Sequence, residues 1–361
     1  MSKKSSNLLE VDISFGRVSI EEKVAFAKHL AVMLKAGLTI SEALDILKSQ
    51  STGKMKKIIA QIAQSVDSGT SLSVALKKFS HIFPPIFINS IYIGESSGTL
   101  DENLESLALH MKKDKELMDK IKGAMFYPMI VMGLAFTLGL VISFVVLPKI
   151  TPLFEGLNIE LPLMTRMLIS FSKVIQSYGT GLLLGIIGGV AVLLWLVRQK
   201  FSQPVTHYLL LNTPIISGIT HNKNLTVFCS TLATLLKSGM NVDQAMNIVS
   251  ETVDNYYFKK SLKDVSSKAG QGSKISENLS HYKKLFPPLA ISMLKIGEKS
   301  GKMEESLFYL AEYYETEVNN ATKKLSTAIE PMLLIFIGLM VGGLAIAIIT
   351  PIYKITGNVQ G

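Results

Sequence analysis

Apolar residues recur every four positions near the start of the chain, and the same pattern returns in its second half. Phe26, Leu30 and Leu34 share one helix face, as do Phe228, Leu232 and Leu236, the spacing of a helix packed on a core. No stretch shows the sustained period-two alternation of a half-buried strand. Helix starts are marked by Ser19 with Glu22, Thr39 with Glu42 and Thr99 with Glu102, each fitting a capping box, and by Asn241 with Gln244. Gly37 and Gly239 stand where the first helix must stop and turn. Pro84-Pro85 and Pro287-Pro288 end one helix and pre-set the next. This punctuation predicts about six helices per module, in the first near 19–36, 40–50, 54–67, 71–80, 85–94 and 100–122.

The second half is a copy of the first. Phe83-Pro84-Pro85 followed by Gly94-Glu95-Ser96-Ser97-Gly98 returns as Phe286-Pro287-Pro288 followed by Gly297-Glu298-Lys299-Ser300-Gly301. Across Phe83–Leu104 and Phe286–Leu307, 11 of 22 positions are identical, far above chance. Upstream, Phe26, Leu30, Leu34, Lys35, Gly37 and Ala43 match Phe228, Leu232, Leu236, Lys237, Gly239 and Ala245; downstream, Pro128 maps onto Pro331. Solenoid repeats have periods of about 20–50 residues, so this much longer unit is a duplicated domain.

Each copy leads into a long uncharged stretch. Ala124–Leu147, Tyr178–Val197 and Pro331–Tyr353 contain no Asp, Glu, Lys, Arg or His, and each reaches the roughly 20 residues needed to cross about 30 Å of hydrocarbon. The middle one is glycine-rich, with Gly179, Gly181, Gly185, Gly188 and Gly189, which suits close helix–helix approach. Met1–Gly16 has no apolar run of signal-peptide type. The expected fold is all-α: two homologous cytoplasmic six-helix bundles plus three transmembrane helices. In sequence order this gives an N-terminal arm (1–18), a first module (19–123), a first span (124–147), an external loop (148–177), a second span (178–197), a second module (198–330), a third span (331–353) and an external tail (354–361).

Charge sets the expected orientation. Lys112, Lys113, Lys115, Lys120 and Lys122 precede the first span, Arg198 and Lys200 follow the second, and Lys323 and Lys324 precede the third. The loop has only Lys149, Arg166 and Lys173, and the tail only Lys354. The positive-inside rule therefore places both modules and the N-terminus in the cytoplasm. The net charge of +9 is concentrated beside the spans, where attraction to anionic lipid accounts for it without nucleic acid. Cys229 is the single cysteine; it excludes an intramolecular disulfide and reads as a small buried hydrophobe.

Catalytic arrangements are missing from the sequence. There is no GxxxxGK[ST] phosphate loop, HExxH helix or GxSxG elbow, and His29, His81, His110, His207, His221 and His281 are scattered without ligand spacing. The expectation is a non-enzyme with no catalytic, cofactor-binding or metal site and no cofactor. The most specific local signal is the turn Gly94, Glu95, Gly98 and its copy Gly297, Glu298, Gly301. Two readings of it stand. Glu95 and Glu298 could contact a partner or, with Asp101 and Glu105, hold a hard cation. Alternatively the glycines supply unusual backbone angles and the carboxylates satisfy free amides at a helix start. Phe83-Pro84-Pro85 and Phe286-Pro287-Pro288 read as structural helix breakers.

Tandem helical modules carrying these two motifs, each followed by a membrane segment beginning near a proline, resemble the bacterial type II secretion F/type IV pilus PilC family. The resemblance runs from about Glu21 to Pro351. It implies an inner-membrane platform of a type IV filament machine that works with a cytoplasmic hexameric assembly or retraction ATPase. It also implies contact with pilin or pseudopilin subunits and other inner-membrane components, and self-association. The chain departs from longer members in its short N-terminal arm, and Lys302 stands where the first turn has Thr99. A DNA-uptake pseudopilus platform is an alternative inside the family. A transporter or channel subunit is an alternative outside it, compatible with duplicated halves but opposed by spans without ionisable residues. No receiver or kinase pattern supports a sensory protein.

Overall fold

The structure is a computed structural model that describes residues 18–146, 148–149, 152, 163–199, 201–214 and 216–358. The predicted arm before residue 18 and residues 153–162 of the predicted loop lie outside the described residues. In the first module α1 spans Ile20–Lys35, α2 Ile40–Gln50, α3 Gly53–Asp67, α4 Leu72–Lys77, α5 Pro85–Ser97 and α6 Leu100–Val141. A short π-helical segment, Ile142–Val146, follows α6. Next come α7, Leu163–Arg198, and α8, Gln203–Asn212. The second module repeats the order with α9 at Ile216–Lys237, α10 at Val242–Thr252, α11 at Tyr256–Ala269, α12 at Ile275–Leu279, α13 at Pro288–Ser300 and α14 at Met303–Asn358. Among the described residues there is no strand.

Two of the predicted capping boxes form in full. Ser19 and Glu22 bond each other's amides at 3.1 and 2.6 Å, and Thr39 and Glu42 do so at 3.3 and 2.9 Å. The other two do not. The Thr99 hydroxyl pairs with Ser97 Oγ at 2.7 Å instead, a nearer competitor for the same group. Asn241 makes no side-chain cap bond, and the acidic residue in that first turn is Asp243, whose charge suits the helix dipole. Helix ends follow the glycines: Gly37 and Gly239 adopt φ of 91° and 90°, and the next amide in each case reaches back to the carbonyl five residues earlier, closing a Schellman turn.

The chain divides into two compact units. One contains Met1–Met118 and His221–Thr316, so both modules pack together; the other contains Asp119–Thr220 and Glu317–Gly361. The first unit is built on side chains withdrawn fully from water, among them Leu30, Leu44, Ile59 and Leu72 in one module and Phe228, Leu232, Leu262 and Leu294 in the other. Each such side chain contributes about 1.5–3 kcal/mol relative to exposure. Residues 198–220, expected in the second module, group with the other unit. There α8 buries no residue and exposes Val205, Tyr208 and Leu209.

α6 continues without interruption through Gly123 and Pro128, and α14 through Pro331. Both are long and apolar enough to cross a bilayer, and only 11% and 6% of their apolar windows are buried. A core helix of a water-soluble protein would bury most of that surface; here Phe126, Met129, Leu134, Leu334, Phe336 and Leu339 stand exposed. The expected middle span is not confirmed. α7 begins at Leu163, well before Tyr178, and among the described residues its apolar stretch is Gly188–Val197.

Candidate functional site

The repeated turn joins three helices in each module. The preceding Pro84 and Pro287 are extended, and Pro85 and Pro288 open α5 and α13 at the first helical position, where a missing N–H costs nothing. Phe83 and Phe286 turn inward and are fully buried. At the other end of the same helices, Gly98 and Gly301 adopt φ of 74° and 70°, a region that a side chain disfavours. The Thr99 and Lys302 amides donate back to the Gly94 and Gly297 carbonyls at 3.0 Å. Gly94 and Gly297 serve a different end. A Cβ on either would stand 2.8 Å from Leu100 Cα or 2.9 Å from Met303 Cα, so only glycine lets the fifth and sixth helices cross this closely.

Glu95 and Glu298 reach across to another helix. Glu95 accepts hydrogen bonds from the Leu72 and Ser73 amides at 2.5 and 3.0 Å, at the start of α4. Glu298 accepts from the Ile275 and Ser276 amides at 2.6 and 3.2 Å and from the Ser276 hydroxyl, at the start of α12. Ser71 and Lys274, the N-cap residues there, provide no side-chain cap, so the distant carboxylate occupies amides that would otherwise lack a helical partner. Negative charge at a helix N-terminus is favourable in its own right. Each carboxylate thereby ties the fourth helix to the fifth across 23 residues of chain.

The structure does not gather the cation set considered from sequence. Glu105 forms an exposed ion pair with Lys35 at 3.5 Å, away from the amides that hold Glu95. Among the described residues no three His, Cys, Asp or Glu side chains come together as a metal-binding group. Burial pushes the Cys229 thiol upward, keeping it protonated inside the core.

Sequence reading missed a second feature. A cavity of about 350 Å³ lies between the modules, lined by Leu109, His110 and Asp114 of α6, Thr234 of α9, and Phe308 and Glu312 of α14. His110 Nε2 stands 3.3 Å from an Asp114 oxygen, one helical turn on. Burial raises the Asp114 carboxyl above its ordinary value, against the pull of His110 and Lys223. The His-x-x-x-Asp spacing was the available signal, but it acquires meaning only when the second module covers it.

Duplicated helical modules, each carrying its last helix on into an exposed apolar segment long enough to cross a bilayer, define a membrane-anchored helical protein. A family profile described as "Type II secretion system (T2SS), protein F" matches residues 26–148 and 228–351, one match per module with its following segment. The chain belongs to that family. It is 33% identical to the type IV pilus assembly protein PilC of Thermus thermophilus, over 94% of this chain and 84% of that protein. It is 32% identical to PilC of Pseudomonas aeruginosa, over 93% and 90%. It is 28% identical to a type II secretion system protein F of Aeromonas hydrophila, over 95% and 88%.

Proposed function

We propose that this chain is an inner-membrane platform of a type IV filament machine, in which a cytoplasmic ATPase displaces the helical modules and the spans load or release pilin subunits. The observation that carries this reading is the uninterrupted course of α6 from a folded module into an apolar segment, repeated by α14. A helix is stiff along its axis, so displacement of a module is passed on rather than absorbed in a linker. The reading includes self-association, contact with other inner-membrane components, three spans, and both modules on the cytoplasmic side, as the lysine distribution favours. The platform role requires no catalytic centre, metal or cofactor.

The decisive experiment inserts a flexible Gly-Ser segment after Lys122. The insertion should leave the protein membrane-inserted and able to capture the ATPase, yet stop filament assembly. Wild-type assembly by that variant would reduce the modules to passive docking sites. Topology is checked separately: a cysteine at Asn158 should label from outside intact cells, and one at Ser68 should not.

A further inference from the structure

The two modules meet asymmetrically. Helix α5 of the first lies against α10 of the second. In the turn before α10, the Ile93 Cγ2 methyl comes within 3.9 Å of where a Cβ on Gly239 would stand. Beside it, the α6 residues Leu109 and His110 face Thr234 of α9 across the cavity. The first module thus contributes its fifth and sixth helices, and the second its first and second, with Phe308 and Glu312 of α14 also lining the cavity. Because the modules are copies, each also owns the face that the other uses.

Burial shows that the unused faces are open. On α5 and α6 of the first module Ile86, Ser90 and His110 are buried. Their counterparts in the second module are Leu289, Met293 and Tyr313, and Leu289 and Tyr313 are exposed. Ile296, counterpart of the half-buried Ile93, is 57% exposed, and Tyr309 is 54% exposed beside it. The reciprocal face behaves the same way. Thr234 and Ser238 of the second module are buried at 3% and 5%, whereas their counterparts in the first, Val32 and Ala36, are exposed, Val32 at 59%. Each module covers one half of the pairing and leaves the other half bare.

We propose that the two bare faces belong to each other: the α13–α14 face of one copy docks on the α1–α2 face of a second copy, repeating between chains the contact made within one. The backbone shapes that fit in the first pairing recur in the second, since the same helices in the same order carry both faces. The side chains suit the role. Leu289, Ile296, Tyr309 and Tyr313 combine aliphatic surface with the large, rigid rings that anchor protein interfaces. The contact is heterologous, so every added copy presents a fresh open face of each kind, and repetition ends when a ring closes. This inference rests on the self-association in the proposed function and adds the surfaces that make it.

The test uses the full chain in native membranes and reads the contact directly, without filament assembly, so its outcome is separate from that of the platform reading. Ala36 is the counterpart of Ser238, next to Gly239, and Ile296 is the counterpart of Ile93, so the in-chain contact predicts that these two positions meet. A chain carrying both Ala36→Cys and Ile296→Cys should give a ladder of intermolecular products with a short bis-maleimide. Co-expressed single variants should stop at dimers, and either single variant alone should give none. Cys229 is fully buried and does not compete. Adding Tyr313→Glu should abolish the ladder while leaving the chain membrane-inserted. Absence of intermolecular products from the double variant, dimers from Ile296→Cys alone, or a ladder that persists with Tyr313→Glu would each overturn the proposal.

Discussion

The first and second modules bury the same shape with different residues. In the first, Phe83 packs on Phe87 at 4.8 Å and on Phe26 at 6.0 Å, forming an aromatic cluster between α1 and α5. In the second, Phe286 packs on Phe228 at 5.5 Å and on Phe258 at 5.4 Å, and the third ring comes from α11. The exchange is reciprocal: position 87 corresponds to Ala290, and position 258 corresponds to Met55, all four being buried. A ring lost from one helix is replaced from its neighbour, so total volume stays close to constant, as a densely packed interior requires. The segment before Phe-Pro-Pro is held differently in the two modules. Lys23 donates to the Ile82 carbonyl at 3.0 Å in one module, while a His221 ring nitrogen lies 2.8 Å from the Lys284 carbonyl in the other. Duplication has kept the filled space and let the residues that fill it change.

The strongest way to break this comparison is to remove the displaced ring. Phe258→Ala should destabilise the unit by about 3–5 kcal/mol, read as a shift in the denaturation midpoint of the purified full chain in detergent. Adding Ala290→Phe, which restores the first module's arrangement, should recover part of that loss, although the same substitution alone should overpack the core and cost about 1–3 kcal/mol. Independent, additive losses would show that the two positions do not share a space.

A smaller difference should separate the two carboxylates. Removing Glu95 or Glu298 leaves buried or half-buried donors at a helix start without their acceptor, worth about 1–3 kcal/mol. Glu298→Ala should cost more than Glu95→Ala, because it also strands the Ser276 hydroxyl. If the turn is purely structural, filament assembly should fall only as far as protein abundance falls. Full abundance with abolished assembly in Glu95→Ala would assign that residue to a partner contact instead.

The least effect belongs to an ion cluster that only the second module has. Glu251 pairs with Lys263 at 2.6 Å and Lys259 at 2.9 Å, whereas the first module has Ser49, Ala60 and Lys56 at these places. Hydrogen bonds from Lys263 and then Lys259 hold the Glu251 carboxyl below its ordinary value. A carboxylate lowered in the folded state stabilises at pH above its unfolded value, and that contribution is lost on acidification. Glu251→Ser should therefore cost less than about 1 kcal/mol at neutral pH, since the pair is exposed and screened. The difference from wild type should vanish well below pH about 4 and shrink in high salt.

Much of the fold could be read in advance, because its signals are local. The four-residue apolar stripe, the proline pairs and the glycine stops each act within a turn or two, and they place helix boundaries to within a few residues. Glu95 and Glu298 were legible only in part. Their pairing with free amides at a helix start was one of two open readings, but the particular start lies 23 residues upstream. The repeated signal there was Gly69 to Ser73 beside Gly272 to Ser276. Gly94 and Gly98 look alike in sequence and do different things: one admits the backbone of a crossing helix, the other adopts a left-handed turn. The caps at Thr99 and Asn241 failed because a short polar side chain chooses among neighbours that sequence does not rank.

By itself the sequence determined the duplication, the helical period, the turn chemistry and the apolar segments of α6 and α14, all of which depend on residues near one another along the chain. Only the tertiary structure decided that the two modules join in one compact unit and that they meet through unlike faces. It also decided that His110 and Asp114 line a shared cavity, and that Leu289, Ile296, Tyr309 and Tyr313 are left in the open. The reason is physical: two copies of one sequence carry the same pair of complementary surfaces, and which surface of which copy is buried depends on how the modules pack, a choice not written in any local stretch of residues.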